Sequence, residues 1–508
     1  MKFKLAFISL FLAFPAAAQT WPVEDAVLQR IWEIGMEDSR IAEMAQVLTD
    51  SIGPRLTGSP GMARAHEWAA DLARGWGVAA RNEQYGVWVG WERGITHVDL
   101  IEPRVRTLDA TMLAWSPGTV GAVEGAVEIV PAWRSAEEGE AWLETVRGKF
   151  VAISFPHPTC RPDSHYEEHG TPGALRRMRL ERQEAFQAFR LRVPDTRALI
   201  ARLEQAGAAG ILQSEWTGGT GANMIHAAST ATIPDLDLGC EDYGLLWRLA
   251  ENGQGPVIRV DARSQFTGEV PVHNTLATIR GRELPDEYVI LSAHFDSWDS
   301  ASGATDNAAG SVAVLEALRI LAEAYPTPRR SIMAALWGGE EQGIHGSRRF
   351  VQMNPEVPAN LQALFNHDVG TGRVESISAQ GLVDAGAHLT EWISRVPPEI
   401  AGEIRLDVPG LPSAGSSDHA AFVCSGAPGF NLGLKSWSYT PHTWHTNLDT
   451  YDKLVMEEVR SNAVLMAMLA YLAAEDSERV GRAQRELPPG PGGRQLTWPA
   501  CQPGQERP

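Results

Sequence analysis

The sequence predicts an α/β fold in which a mostly parallel central sheet is flanked by helices and interrupted by a small inserted β-rich domain. Three observations carry this reading. In the second half, strand-length apolar runs (YVILSAHFD, SIMAALWG, and residues 361–366 and 429–434) alternate with helical stretches such as 308–324. Strands buried on both faces read as continuous apolar runs of this kind, and strand–helix alternation is the mark of a parallel sheet. From about Gly118 the pattern changes to short Val/Ile segments (AVEIV, FVAISF, AAGILQ, GPVIRV) between Gly, Pro and charged pieces, which predicts a separate β-rich unit. Finally, 508 residues leave room for more than one domain, and 44% hydrophobic with 21% charged residues is ordinary globular composition. That composition excludes collagen-like, wholly disordered and polytopic membrane chains.

The elements follow in order. Residues 1–18, with Lys2 and Lys4, an apolar run from Leu5 to Phe14 and small Ala16 and Ala18, read as a secretory leader cut after Ala18. The run is too short for a stable membrane anchor, so the expected location is secreted or periplasmic. Residues 19–117 form the first part of the main domain. Apolar spacing predicts a helix over 25–48, and a second over 61–75 that opens at Ser59-Pro60; a strand-rich stretch covers 85–100. The insertion spans 118–267 and the catalytic part 268–480, ending in a helix over 453–474. Residues 481–508, rich in Pro and Gly, form a tail that need not pack.

Charge narrows the partners. Lys and Arg total 44 against 63 Asp and Glu, a formal charge of -19, which repels a polyphosphate backbone and excludes nucleic acid as a natural partner. Four cysteines, Cys160, Cys240, Cys424 and Cys501, are too few for a disulfide scaffold in a chain this long; one pair would serve as a local staple.

The chemistry collects where apolar strands end. His294 and Asp296 close one strand and alternate onto one side, so a carboxylate lies near an imidazole and favours it as a metal ligand. Asp306 follows directly before a helix, where its plainer role is an N-cap. Glu340 and Glu341 follow Trp337-Gly338-Gly339, and adjacent like charges cost energy unless a cation or separate roles relieve them. Asp368 ends a third strand, and His442 and His445 precede the last helix, with Asp449 or Thr450 as its cap. His294, Asp306, Glu341, Asp368 and His445 thus supply two imidazoles and three carboxylates without a thiolate. This donor set suits a pair of zinc ions, with manganese or cobalt as poorer fits, and one carboxylate must bridge. Glu340 remains as a base, and the chemistry suggested is amide hydrolysis by metal-activated water.

The motifs HFDSWD, SGATDNAAG, WGGEEQG, FNHDVGTG, GSSDHAAF and HTNLDTYD, in this order, resemble those of the zinc peptidases of family M28. IGPRLTGSPG, WERG and IEPR, with the insertion, are similar to its carboxypeptidase Q branch. The resemblance implies a zinc exopeptidase fold, two Zn2+ per chain, and an insertion that is a protease-associated domain acting as a lid or substrate-positioning element. It implies that Asp306 bridges, that His294 and Asp368 complete one metal site and Glu341 and His445 the other, and that Glu340 is the general base with Asp296 behind the histidine. Two positions depart from the pattern: Asn307 stands where many relatives carry a second acid, and His367 where a small or acidic residue is usual. The activity implied is hydrolysis of short peptides, dipeptides foremost. Aminopeptidase action on longer peptides and a non-catalytic peptide-binding or receptor-like protein are the alternatives. The oligomeric state is open, a homodimer among the options.

Other motifs read as decoys. His165 to His169 spells HxxEH, but Pro162, Gly170 and Pro172 crowd it and predict a loop. Arg176, Arg177, Arg179 and Arg182 read as the solvated face of a helix over 175–190, diluted by Glu181 and Glu184. The seventeen tryptophans are scattered rather than spaced as a sugar-binding platform, and the GxSxG of a serine hydrolase is absent.

Overall fold

A computed structural model describes residues 21–133, 135–505 and 507; the expected leader at 1–18 lies outside them. The fold is mixed α/β. Parallel pairing joins Gly429–Leu434, Leu361–His367, Leu284–His294 and Arg330–Trp337 side by side. These are the apolar runs of the sequence, and two of the four, Arg330–Trp337 and Leu361–His367, are wholly buried. The helices Ala309–Ala324 and Met456–Glu475 cover one face, and their apolar side chains share a core with Leu28, Ile31, Val289, Leu291 and Phe365.

The helix expected over 25–48 is broken. It runs Ala26–Glu37, stops, and resumes at Ile41–Gln46. The interruption is tied down by a buried ion pair: Arg319 donates to Asp38 O at 2.7 Å, and Arg40 N–H donates to Glu316 Oε1 at 2.9 Å. Apolar spacing is blind to such a long-range contact. The helix Pro60–Gly75 begins as its sequence demands, with Ser59 Oγ accepting from Met62 N at 3.1 Å and Pro60 in the first turn.

A long antiparallel hairpin, Ala79–Glu102 with Val257–Ile279, edges the parallel strands at one end and runs on into the inserted region. There Val123–Ile129 joins it, followed by Phe150–Ala152, Gly210–Gln213 and Asp235–Leu238 in parallel. A second buried cluster, drawn from Trp91, Val98, Phe150, Ile211, Leu246 and Ile258 among others, sits around these strands. The inserted region corrects the expectation of a β-rich unit. Its strands are short, and the helices Ala136–Leu143, Asp163–His169, Ala174–Arg192, Thr196–Ala206 and Cys240–Glu251 lie between them. It is therefore α/β, and its strands continue the catalytic sheet through the hairpin, so no distinct β-rich domain stands apart.

The cysteines also depart from the reading of a single local staple. Cys160 pairs with Cys240 and Cys424 with Cys501, across 80 and 77 residues. The second pair holds the Pro- and Gly-rich end, expected to be loose, against the body of the fold. There Trp498 Nε1 donates to Val423 O at 2.9 Å and Gln505 N–H reaches His345 Nδ1 at 3.2 Å. Among the described residues no helix is long and apolar enough to cross a membrane.

Candidate metal centre

The sheet delivers its polar residues at the carboxyl ends of neighbouring parallel strands, where open α/β sheets bind ligands. His294 is the last residue of its strand, Glu340 and Glu341 lie in the turn after Arg330–Trp337, and Asp368 follows Leu361–His367. Asp306 occupies an irregular turn before Ala309–Ala324, with a cis peptide to Asn307. His445 comes from the loop after Tyr439–His442.

These five residues gather into two groups that share Asp306: His294, Asp306 and Asp368, and Asp306, Glu341 and His445. His294 Nε2 lies 3.1 Å from Asp306 Oδ1 and 3.0 Å from Asp368 Oδ1. His445 Nε2 lies 3.4 Å from Asp306 Oδ2 and 2.9 Å from Glu341 Oε2. The two oxygens of one carboxylate thus face opposite groups. Asp306 Oδ2 and Glu341 Oε1 are buried without a hydrogen-bond partner. Orphaned carboxylate oxygens beside two imidazoles fit a pair of cations, because a buried acceptor left unpaired is costly and a cation removes that cost. Glu340 belongs to neither group, although it adjoins Glu341.

Supporting residues fix these side chains. Asp296 does not hold the histidine by its carboxylate: His294 Nδ1 lies 3.0 Å from the backbone oxygen of Asp296 and 3.8 Å from Oδ1. The carboxylate turns instead to the Glu340 and Glu341 turn, where Oδ1 accepts from Glu340 N–H at 3.1 Å and Oδ2 from Glu341 N–H at 3.2 Å. Asp306 is not an N-cap; Asn307 Oδ1 accepts from Gly310 N–H at 3.0 Å, and Asn307 Nδ2 donates to His367 O at 2.8 Å. The amide at this position thereby ties the helix start to the strand that carries Asp368. His367 points away from the groups, its Nε2 3.1 Å from Asn462 Nδ2, and burial pulls its imidazole down to about 4. Buried Arg55 donates to Phe295 O, Gly53 O, Ser302 O and Gly303 O, joining the loops on either side of Asp296.

Electrostatics point the same way. Burial raises the Glu340 and Glu341 carboxyls well above their ordinary range, and the Asp368 and Asp306 charges add to it. Burial pulls the His294 imidazolium down, but Asp368, Asp296 and Asp306 outweigh it and raise the group well above its usual value. A buried nest of carboxylates that holds a proton on its histidine is short of positive charge, which a divalent cation supplies.

Some residues around the centre have parts that the sequence does not mark. Asp449, expected as a cap for the last helix, instead accepts from Thr305 and Asp306 N–H, and that helix starts at Met456 with no side-chain cap. Asp418, in GSSDHAAF, is buried beside the centre and accepts from Ser347 Oγ; burial pushes it up to about 8. Tyr439 lies near Asp306, and burial together with the Asp306 charge raises its hydroxyl well above the ordinary value. His226, from the inserted region, stands edge-on to His445 with ring centroids 5.5 Å apart. The HxxEH stretch is a seven-residue helix, Asp163–His169, rather than a loop, but its His169 and Glu168 are exposed. Among the described residues it forms no metal-holding group.

Comparison with known proteins finds peptidases. The family model described as Peptidase family M28 matches residues 274–470, which contain all five residues and Glu340. Carboxypeptidase Q of Bos taurus is 24% identical over 449 residues, 88% of each chain. The crystal structure of a peptidase M28 precursor from Shewanella amazonensis superposes with a TM-score of 0.64 at 22% identity, covering 91% of this chain and 98% of that one. That of BSAP, a zinc aminopeptidase from Bacillus subtilis, gives 0.55 at 18% identity, covering 88% and 97%. With two His/Asp/Glu groups sharing one carboxylate, and residues 274–470 similar to the M28 peptidases, the chain is a metallo-exopeptidase.

Proposed function

We propose that the chain is an extracytoplasmic dinuclear zinc exopeptidase of short peptides, dipeptides foremost, related to the carboxypeptidase Q branch. The observation that carries this is the sharing of Asp306: one oxygen faces His294 and Asp368, the other Glu341 and His445. In this reading His294 and Asp368 hold one zinc, Glu341 and His445 the other, and Asp306 both. Zinc at these groups supplies Lewis acidity toward a substrate carbonyl and toward water. Glu340, outside both groups, takes the proton of the attacking water and returns it to the leaving amine. Asp296 is a positioning residue that sets the backbone of Glu340 and Glu341 through two hydrogen bonds.

The inserted region, residues 118–267, plays the part of a protease-associated domain between the peptidase segments 19–117 and 268–480. Its loop lies against the His445 segment and closes one side of the centre, which favours a short substrate. The two long-range disulfides suit an oxidising compartment outside the cytoplasm. The test is hydrolysis of free dipeptides by the mature chain, lost on chelation and restored by zinc. Activity that survives complete chelation would defeat the reading.

Aminopeptidase action is the second reading, and one feature favours it. Glu215, its side chain 51% exposed beside His226 on the roof, offers a carboxylate to a substrate ammonium.

A further inference from the structure

His445 is the one residue of the five whose backbone has a positive φ, +55°. A non-glycine residue held in the left-handed region is strained and persists only where its surroundings impose it. Here the surroundings belong to the inserted region. Ile225 N–H donates to His445 O at 2.6 Å, and Met224 pairs with Thr446 in an antiparallel bridge. On one side, Thr217 Oγ1 donates to Pro441 O at 2.6 Å. On the other, Asn223 N–H donates to Asn447 Oδ1 at 2.8 Å, Asn447 N–H returns to Asn223 O at 3.1 Å, and Asn447 Nδ2 donates to Gly221 O at 3.2 Å.

The loop that makes these bonds is itself anchored. The buried amide of Asn223 donates to Asp237 Oδ1 at 2.6 Å and Leu238 O at 2.7 Å, and Glu215 N–H donates to Asp237 Oδ2 at 2.9 Å. Fixed contacts therefore run from the strand Asp235–Leu238 to the backbone of His445. His294, Asp306 and Asp368 have no such dependence, because their segments are set by the catalytic strands, Asn307 and Asp449.

We propose that Asn223 and Asn447 are positioning residues for the second metal group: docking of the inserted loop locks His445 in its ligating conformation, so that metal retention by Asp306, Glu341 and His445 depends on the insertion while the His294 group does not. This rests on the metal-binding role of His445 proposed above. Groups that orient a metal ligand typically govern about 10- to 100-fold in affinity. The experiment is equilibrium zinc binding by the full-length apo chain in competition with a chromophoric chelator, with far-UV circular dichroism to confirm folding. Wild type should bind two equivalents and His445→Ala one. Asn447→Ala should weaken the equivalent that His445→Ala loses by about 10- to 100-fold and leave the other unchanged. Thr217→Val, at the rim of the same contact, should move it in the same direction by less, and serves where Asn447→Ala fails to fold. Unchanged affinities in both variants, with one equivalent lost in His445→Ala, would overturn the clamp and leave the metal assignment standing. Equal weakening of both equivalents would also overturn it, as a general loosening of the centre. Two equivalents in His445→Ala would overturn the metal assignment itself.

Discussion

The two carboxylate oxygens of Asp449 accept the backbone N–H groups of Thr305, at 2.8 Å, and Asp306, at 2.9 Å. The residue shared by both metal groups is thus held through its main chain by a buried acid that belongs to neither group. Asp449→Ala removes both acceptors and leaves two buried N–H groups unpaired, each costing about 1 to 3 kcal/mol. Because Asp306 serves both groups, zinc affinity should fall at both, by about 10-fold or more. Titration of the apo chain with zinc checks this; affinity unchanged at either site would show that Asp306 keeps its place without Asp449.

The adjacent acids Glu340 and Glu341 should separate cleanly. Glu340→Gln should keep two equivalents of zinc and substrate affinity while kcat falls about 10²-fold or more, since a positioned base contributes roughly 10² to 10⁴. Glu341→Gln should instead lose or loosen one equivalent, because its carboxylate lies beside His445. The measurements are metal analysis and steady-state kinetics on both variants. An exchange of phenotypes would reverse the two roles.

His294, Asp306, Glu341 and Asp368 were legible because each follows an apolar strand or precedes a helix, so local patterning places a carboxylate or imidazole at a sheet edge, whereas His445 sits in a loop and was marked by the HTNLDTYD motif. The residues that hold them were not. Asp449 looked like a cap for the helix that follows it, and only the fold reveals that its partners lie some 140 residues earlier. Asn223 and His226 meet the His445 segment across more than 200 residues, a pairing with no local signature. The break at Asp38, imposed by Arg319, and the pairing of Cys424 with Cys501 are hidden for the same reason. In the insertion the strands FVAISF and AAGILQ were correctly read, but the helices between them were underweighted, which made an α/β region look β-rich.

Stability should depend on pH through Asp235, in the insertion. Burial raises its carboxyl to about 6, although Gln213 and the Ser229 N–H donate to it. Below its ordinary value, near 3.8, both folded and unfolded chains hold the proton. Between there and about 6 the unfolded chain releases it first, so the unfolded state is favoured as pH rises. The stability this group contributes is complete below its unfolded value and is lost as pH passes through about 6, a change of at most roughly 3 kcal/mol. Denaturant unfolding of wild type and Asp235→Asn from pH 3.5 to 7.5 reads this out, and the variant should show a flatter profile. Identical slopes would remove Asp235 as the cause.

The HxxEH spelling should prove silent. His165→Ala with His169→Ala should leave zinc content unchanged, because among the described residues this short helix forms no metal-holding group and His169 is 69% exposed at its side chain. Loss of a full equivalent would place a metal in the insertion.

Substrate length separates the two readings of the activity. The loop bearing Glu215, His226 and Met224 lies against the His445 segment, so the space on that side of the centre is bounded by the insertion. A dipeptide fits within such a bound, whereas a longer chain needs a route past it. The measurement is kcat/KM across X-X, X-X-X and X-X-X-X, each with its carboxyl terminus free or amidated. Rates should fall with length and collapse on amidation for a dipeptidase. If rates are equal across the series and follow only a free amino terminus, Glu215 becomes the group to test, and Glu215→Gln should then raise KM with little change in kcat, since binding lost equally in ground and transition states appears in KM alone. In that event the insertion reads the ammonium end of the substrate, and the roles of Asp306 and Glu340 stand unaltered.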